Sequence, residues 1–210
     1  MSKCKEQLMR GKYLRKKKKT YAIYGMGSTR LAIALANYYA SFLKKKVAIA
    51  EIGEGNLSDI ADDVQNKKSE RLTNNKLVGF TRMKVDYYPY LDMDYVTKVS
   101  NEAYDVILWD FKEISHDYLN LYRYCDKKFF LSNIAPHNRR LFCNTKNLFE
   151  NDAVEVEFYC YLLNKQDKKW YDKTVGKVGL FSDIREIPFI KDPNKLTRED
   201  ITFLEKMAVG

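Results

Sequence analysis

Histidine is nearly absent from this sequence: His116 and His137 are the only two in 210 residues, each in a predicted loop near a helix start. A histidine metal site or a nucleophile-histidine-acid triad therefore has no constellation to rest on. Cysteine is scarce as well. Cys4, Cys125, Cys143 and Cys160 are far apart and form no C-x-x-C pair, which excludes zinc and dithiol motifs. Three of the four lie in apolar surroundings, where a free thiol behaves as a small buried hydrophobe, so a reducing cytoplasm is expected. No apolar run reaches the ~18 residues that cross a bilayer, and the N-terminus lacks the apolar stretch of a signal peptide. With 9 glycines and 4 prolines there is little material for low-complexity linkers, and no internal repeat is visible.

What the chain does hold is core-forming material. A hydrophobic content of 45%, with 14% aromatics, exceeds that of disordered chains, and the length suits one well-cored domain. The net charge of +9 is unevenly placed. Residues 1–19 carry nine basic side chains, Lys3, Lys5, Arg10, Lys12, Arg15 and Lys16 to Lys19, against Glu6 alone, a net +8 that leaves +1 for the remainder. The expectation is a flexible basic leader over 1–19 and a single domain over 20–210. A near-neutral body argues against a broadly basic nucleic-acid face, so DNA or an anionic membrane would be met only through the leader.

From Thr20 onward, short β-rich runs alternate with helical patterns. This predicts an α/β fold of three layers, a mostly parallel sheet flanked by helices. Tyr21 to Tyr24 make a first strand, and Gly25-Met26-Gly27 a turn. Ser28 or Thr29 then caps a helix with Leu31, Ala34, Leu35, Tyr38, Tyr39 and Phe42 on one face and Lys44 to Lys46 at its end. Val47 to Ile52 form a second strand, interrupted in polarity only by Glu51. A second helix runs through Ile60, Ala61 and Val64, followed by a polar excursion over 65–76. A third strand spans Met83 to Tyr88 and stops at Pro89, and a short helix carries Tyr95, Val96 and Val99. The strand Val106 to Trp109 ends in Asp110. Helix 118–124, strand 129–131, a helix opening at Pro136 with Leu141, Phe142 and Leu148, and strand 154–163 follow. Strand 185–187 and a final helix introduced by Thr197-Arg198-Glu199-Asp200, an approximate capping box, complete the order. The tyrosines of the stretch Tyr87, Tyr88, Tyr90 and Tyr95 fit base stacking on paper. In a chain with 16 tyrosines, packing is the expected role.

A strand, a glycine turn and a helix opening at Ser28 form an anion site in principle, because the first amides of a helix lack internal partners and the dipole is positive there. The same turn also serves simply to bring a helix close to a strand. Glu51, at a strand end, reads as a solvent-facing carboxylate. Asp110, at the C-terminal end of a strand, lies on the edge of the sheet where open α/β folds face their ligands, and it reads equally as a cap of the following loop.

Together these segments carry a resemblance. Tyr21-Ala22-Ile23-Tyr24-Gly25, Leu31-Ala32-Ile33-Ala34-Leu35-Ala36 and Lys46-Val47-Ala48-Ile49-Ala50-Glu51 resemble, in order and spacing, the opening of the MinD/ParA group of P-loop ATPases. Tyr104 to Asp110 is similar to the Walker B strand of that group, Cys125 to Leu131 to its next strand, and Ile187-Pro188-Phe189 to the turn flanking adenine. The resemblance implies a P-loop NTPase-like, Rossmann-like fold. It also implies a nucleotide site built from Gly25, Gly27, Ser28, Thr29, Arg30, Glu51 and Asp110, with Thr29 and Asp110 at the magnesium if ATP/Mg binds. The departure is local: Ser28 stands where the second lysine belongs, neither lysine is present, and about three loop residues are missing.

The resemblance, with that departure, implies a degenerate member like the atypical CpaE/TadZ branch. Such a chain would be a pseudo-ATPase with no catalytic residues and no required cofactor, a scaffold or localisation factor for pilus or secretion machinery. A protein partner is expected, with a homodimer as a further option. The final helix, mixed in charge, does not resemble the membrane-targeting helix of MinD. Two alternatives stay open. One is an active nucleotide- or dinucleotide-binding enzyme using the Gly25-Met26-Gly27 turn, with Glu51 on the ribose but no third glycine. The other is a DNA- or membrane-associated partitioning protein.

Overall fold

In the computed structural model, which describes residues 18–55, 57, 59, 70–72, 79–91, 93–133, 135–161, 167–169, 171–172 and 184–209, strands and helices alternate as the pattern predicts. The strands are β1 (Lys19–Gly25), β2 (Val47–Ile52), β3 (Glu70–Leu72), β4 (Gly79–Arg82), β5 (Val85–Leu91), β6 (Val106–Phe111), β7 (Lys127–Ser132), β8 (Glu157–Tyr161) and β9 (Arg185–Ile187). The helices are α1 (Ser28–Asn37), α2 (Met93–Asn101), α3 (His116–Tyr124), α4 (Pro136–Asn151) and α5 (Arg198–Val209).

All nine strands join one sheet in the order β3-β4-β5-β2-β6-β1-β7-β8-β9. From β5 to β9 every pairing is parallel, and only β4 runs against its neighbours β3 and β5. Burial on both faces explains why β2 and β6 read as continuous apolar runs: every residue of either strand is buried. One face carries Tyr21, Ile23, Val47, Ile49, Val106 and Leu108 under α1 and α5. The other carries Ala22, Ala48, Ala50, Ile107, Trp109 and Phe111 under α2, α3 and α4. Strand alternation thus sorts each residue to one layer, and the expected three-layer α/β architecture is present. The turn into α5 is a capping box: Thr197 N–H donates to Asp200 Oδ2 at 2.9 Å, and Asp200 N–H to Thr197 Oγ1 at 3.2 Å.

Several sequence expectations need correction. The third strand is one arm of a hairpin, with Met83 and Lys84 in its turn at φ 50° and 66°. The second arm, β5, passes through Pro89 instead of stopping there. Pro89 lies beyond the residues that pair with β4, in a register irregularity against β2, so no ladder bond needs its missing N–H. The polar excursion contains β3, paired antiparallel to β4. Helix α1 passes into a π-helical turn over Tyr38–Phe42, where Tyr38 and Tyr39 are buried but Phe42 is half exposed. Lys44 lies past that turn with φ 53°, and no basic residue stands in the last turn of α1. On α4, Phe142 and Phe149 are buried while Leu141 is 63% exposed. Strand β8 begins at Glu157, later than the apolar run at Val154.

The basic leader's last two residues are part of the fold. Lys19 opens β1, and Lys18 Nζ donates to the Glu102 carbonyl at 2.7 Å. Residues 1–17 and the second-helix residues Ile60, Ala61 and Val64 lie outside the described residues. Among the described residues, no helix is long and apolar enough to cross a membrane. Tyr87 and Tyr88 are core residues, and Tyr88 Oη pairs with Tyr104 Oη at 2.7 Å, as packing predicted.

Candidate functional site

Strand β1 lies between β6 and β7, and its own crossover leads away to β2. The C-terminal ends of β1, β6 and β7 therefore flank a topological switch point, where open α/β sheets place ligands. A cleft of about 710 Å³ opens there, lined by the Gly25 to Arg30 turn, Gly55, Lys112, Asn133 and Leu141 among others.

The turn itself is drawn down onto β7. Met26 N–H donates to the Leu131 carbonyl at 2.9 Å, and Gly25 adopts φ 105° directly against that carbonyl, where a β-carbon would collide. Gly27 is the N-cap of α1 at φ 74°, with the Tyr161 hydroxyl 3.1 Å from the place of a β-carbon. Glycine is needed at both positions for its left-handed freedom. The predicted capping by Ser28 or Thr29 does not occur: α1 starts at Ser28 and no side chain caps it. A turn this short leaves Leu31 N–H making the first helical bond, to the Gly27 carbonyl.

Beside the turn lies a charged cluster of Glu51, Asp110 and Lys112, of which the sequence reading named the two acids and missed the lysine. Glu51 and Asp110 are register partners on β2 and β6, and alternation aims both at the α1 side of the sheet. Both are fully buried, which overturns the expectation of a solvent-facing Glu51 at the sheet edge. Lys112, two residues past Asp110, returns to the same side. Its Nζ donates to Asp110 Oδ2 at 2.6 Å, donates to Thr29 Oγ1, and stands 3.4 Å from Glu51 Oε1. The Leu57 N–H adds a bond to Glu51 Oε1 at 3.2 Å. Burial holds the Glu51 carboxyl above the usual range, with Asp110 adding to the rise and Lys112 and the Leu57 amide opposing it. Gly55 packs on the cluster so tightly that a β-carbon would collide with the Glu51 carboxylate and the Lys112 stem. Asp110 Oδ1 has no hydrogen-bond partner among the described residues.

Arg30 makes its contacts with the segment after β9. Its guanidinium donates to the Ile190 and Lys191 carbonyls, each at 3.0 Å, and lies 4.7 Å from the Phe189 ring centre. It thereby ties α1 to the segment after β9. The structure thus brings Thr29, Glu51 and Asp110 together around Lys112, places Gly25, Gly27, Ser28 and Arg30 along the cleft, and joins the Arg30 guanidinium to the Ile190 and Lys191 carbonyls. Among the described residues no group of three or more His, Cys, Asp or Glu side chains could hold a metal. Cys125 and Cys160 are buried, and burial pushes the Cys125 thiol up to about 12, far from a reactive thiolate.

A magnesium nucleotide is the group this architecture implies. The cleft's volume is within the usual range for small-molecule sites, about 300–1,000 Å³. The metal does not fit the residues as they stand. In P-loop NTPases the ion is held by the loop Ser/Thr and the Walker B Asp, and here the Lys112 ammonium bonds both Thr29 and Asp110.

No family model and no curated protein matches this sequence. Solved structures match in shape. A chain of the MinC:MinD cell division protein complex of Aquifex aeolicus aligns with a TM-score of 0.65 at 14% identity, over 91% of this chain and 96% of that one. A putative plasmid partition protein of Borrelia burgdorferi B31, solved bound to AMPPNP, aligns at 0.60 and 14%, over 91% and 97%. A ParA family ATPase of Chlorobium tepidum aligns at 0.53 and 12%, over 91% and 93%. The chain has the MinD/ParA-type fold.

Proposed function

We propose that this chain, built on the MinD/ParA-type fold, is a noncatalytic scaffold that localises other machinery, such as a pilus or secretion assembly, by holding a protein partner. One observation carries the reading: the lysine-free turn is pinned to the Leu131 carbonyl while the Lys112 ammonium bridges Thr29 and Asp110. Phosphoryl transfer depends almost wholly on positioning and electrostatic stabilisation, and the turn supplies neither a lysine for the β- and γ-phosphates nor an open seat for their metal. The partner half of the reading draws on the MinC:MinD complex, in which a protein similar in fold is joined to a second protein. A homodimer, if formed, uses contacts other than a shared nucleotide.

ATP turnover by the purified full chain with magnesium tests the reading. No hydrolysis above background is expected. Turnover at rates typical of P-loop ATPases, abolished by Asp110→Ala, would falsify it. The dinucleotide alternative gains nothing from the site, since the carboxylate it needs, Glu51, is buried against Lys112 and Leu57 N–H.

A further inference from the structure

We propose that Lys112 is a tethered replacement for a divalent cation: its ammonium takes the metal's seat between Thr29, Asp110 and Glu51, so that the cleft is blind to magnesium and manganese. The inference deepens the noncatalytic reading of the same cleft. It rests on geometry from three separate elements. Thr29 comes from the first turn of α1, Glu51 from β2 and Asp110 from β6, and the three oxygens converge on one ammonium, which has three protons to give.

The charge arrangement explains why a cation sits there. Glu51 and Asp110 are both fully buried on adjacent strands, and among the described residues neither has another ion-pair partner. Two neighbouring carboxylates withdrawn from water are costly unless a positive charge compensates them or one takes up a proton, and the Lys112 ammonium supplies that charge. In an ATPase of this fold the divalent ion supplies part of it; in this chain Lys112 supplies it permanently. The lysine is also held in place. Its side chain is only 17% exposed, and the Gly55 backbone closes over its stem so closely that even a methyl group would not fit. A divalent ion entering between Thr29 and Asp110 would meet a fixed like charge at contact distance, a strong repulsion even at an effective dielectric near 20. Among the described residues Asp110 Oδ1 has no hydrogen-bond partner, so Lys112 engages only one of the two oxygens of this acid.

The test is titration of the full chain with manganese alone, without nucleotide, followed by electron paramagnetic resonance and by thermal melting. The wild-type chain should bind no manganese that Asp110→Asn removes, and its melting temperature should not respond to the ion. Lys112→Ala should gain one site, tighter on the order of a hundredfold, because a like charge a few Å away has been removed. That site should vanish in Lys112→Ala/Asp110→Asn. Lys112→Arg, which keeps the charge, should remain blind. If Lys112→Ala is unfolded in buffer, millimolar manganese should restore its folding.

Wild-type manganese binding that Asp110→Asn weakens tenfold or more would overturn the proposal. So would a Lys112→Ala chain that neither binds manganese nor is stabilised or refolded by it. ATP hydrolysis without any divalent ion would overturn the noncatalytic reading and leave this inference standing, so the two fail separately.

Discussion

The β1–α1 turn and the ends of β2 and β6 meet at one cleft, and their polar groups are satisfied in different ways. The turn carries no lysine and spends the Met26 N–H on the Leu131 carbonyl. The edge holds two acids, Glu51 and Asp110, fully buried. A cation of the same chain, Lys112, pairs with both. Buried carboxylates are costly without a partner, and the Lys112 ammonium offsets that cost here.

The comparison breaks most readily at the edge. Lys112→Met should cost roughly 3–5 kcal/mol, since it strands two buried carboxylates. Combining it with Glu51→Gln and Asp110→Asn should recover most of that loss, measured by urea unfolding; a triple variant as unstable as the single one would place the cost in packing. On the turn side, Gly25→Ala should cost about 3 kcal/mol or more, from left-handed strain combined with collision against the Leu131 carbonyl. An unfolding midpoint unchanged in that variant would mean the turn is not pinned to β7.

Gly55→Ala joins the two sides. Overpacking against Glu51 and Lys112 should cost about 1–3 kcal/mol. A double-mutant cycle with Lys112→Met should show a smaller cost once the long side chain is gone. Additive effects would separate Gly55 from the cluster. The smallest change is expected from Arg30→Ala, which removes two carbonyl contacts and a ring contact at a half-exposed position, worth about 1 kcal/mol. It should leave calorimetric titration with ATP unaltered. An ATP response that depends on Arg30 would make it a stand-in for the missing loop lysine.

The same contrast explains what the sequence made legible. Strands buried on both faces, such as Val47 to Ile52 and Val106 to Phe111, announce themselves by continuous apolar runs. The capping box at Thr197 to Asp200 is encoded in four consecutive residues. Pro89 misled because a proline's effect depends on whether its missing N–H faces a neighbouring strand, which only the β4–β5 register decides. Glu51 misled because a lone acid at a strand end looks solvated until its partner 61 residues away is known. Lys112 left one faint signal, its place two residues after Asp110 and therefore on the same side of the strand line. Nothing in the one-dimensional pattern shows that Thr29 and Glu51 converge on it.

Anomalous diffraction from crystals of the wild-type chain, grown with ATP and manganese, tests the central claim most directly. The account predicts continuous side-chain density for Lys112 reaching Thr29, Glu51 and Asp110, with no manganese peak between them. A manganese peak bridging Thr29 and Asp110, with Lys112 turned out of the cleft, would contradict it.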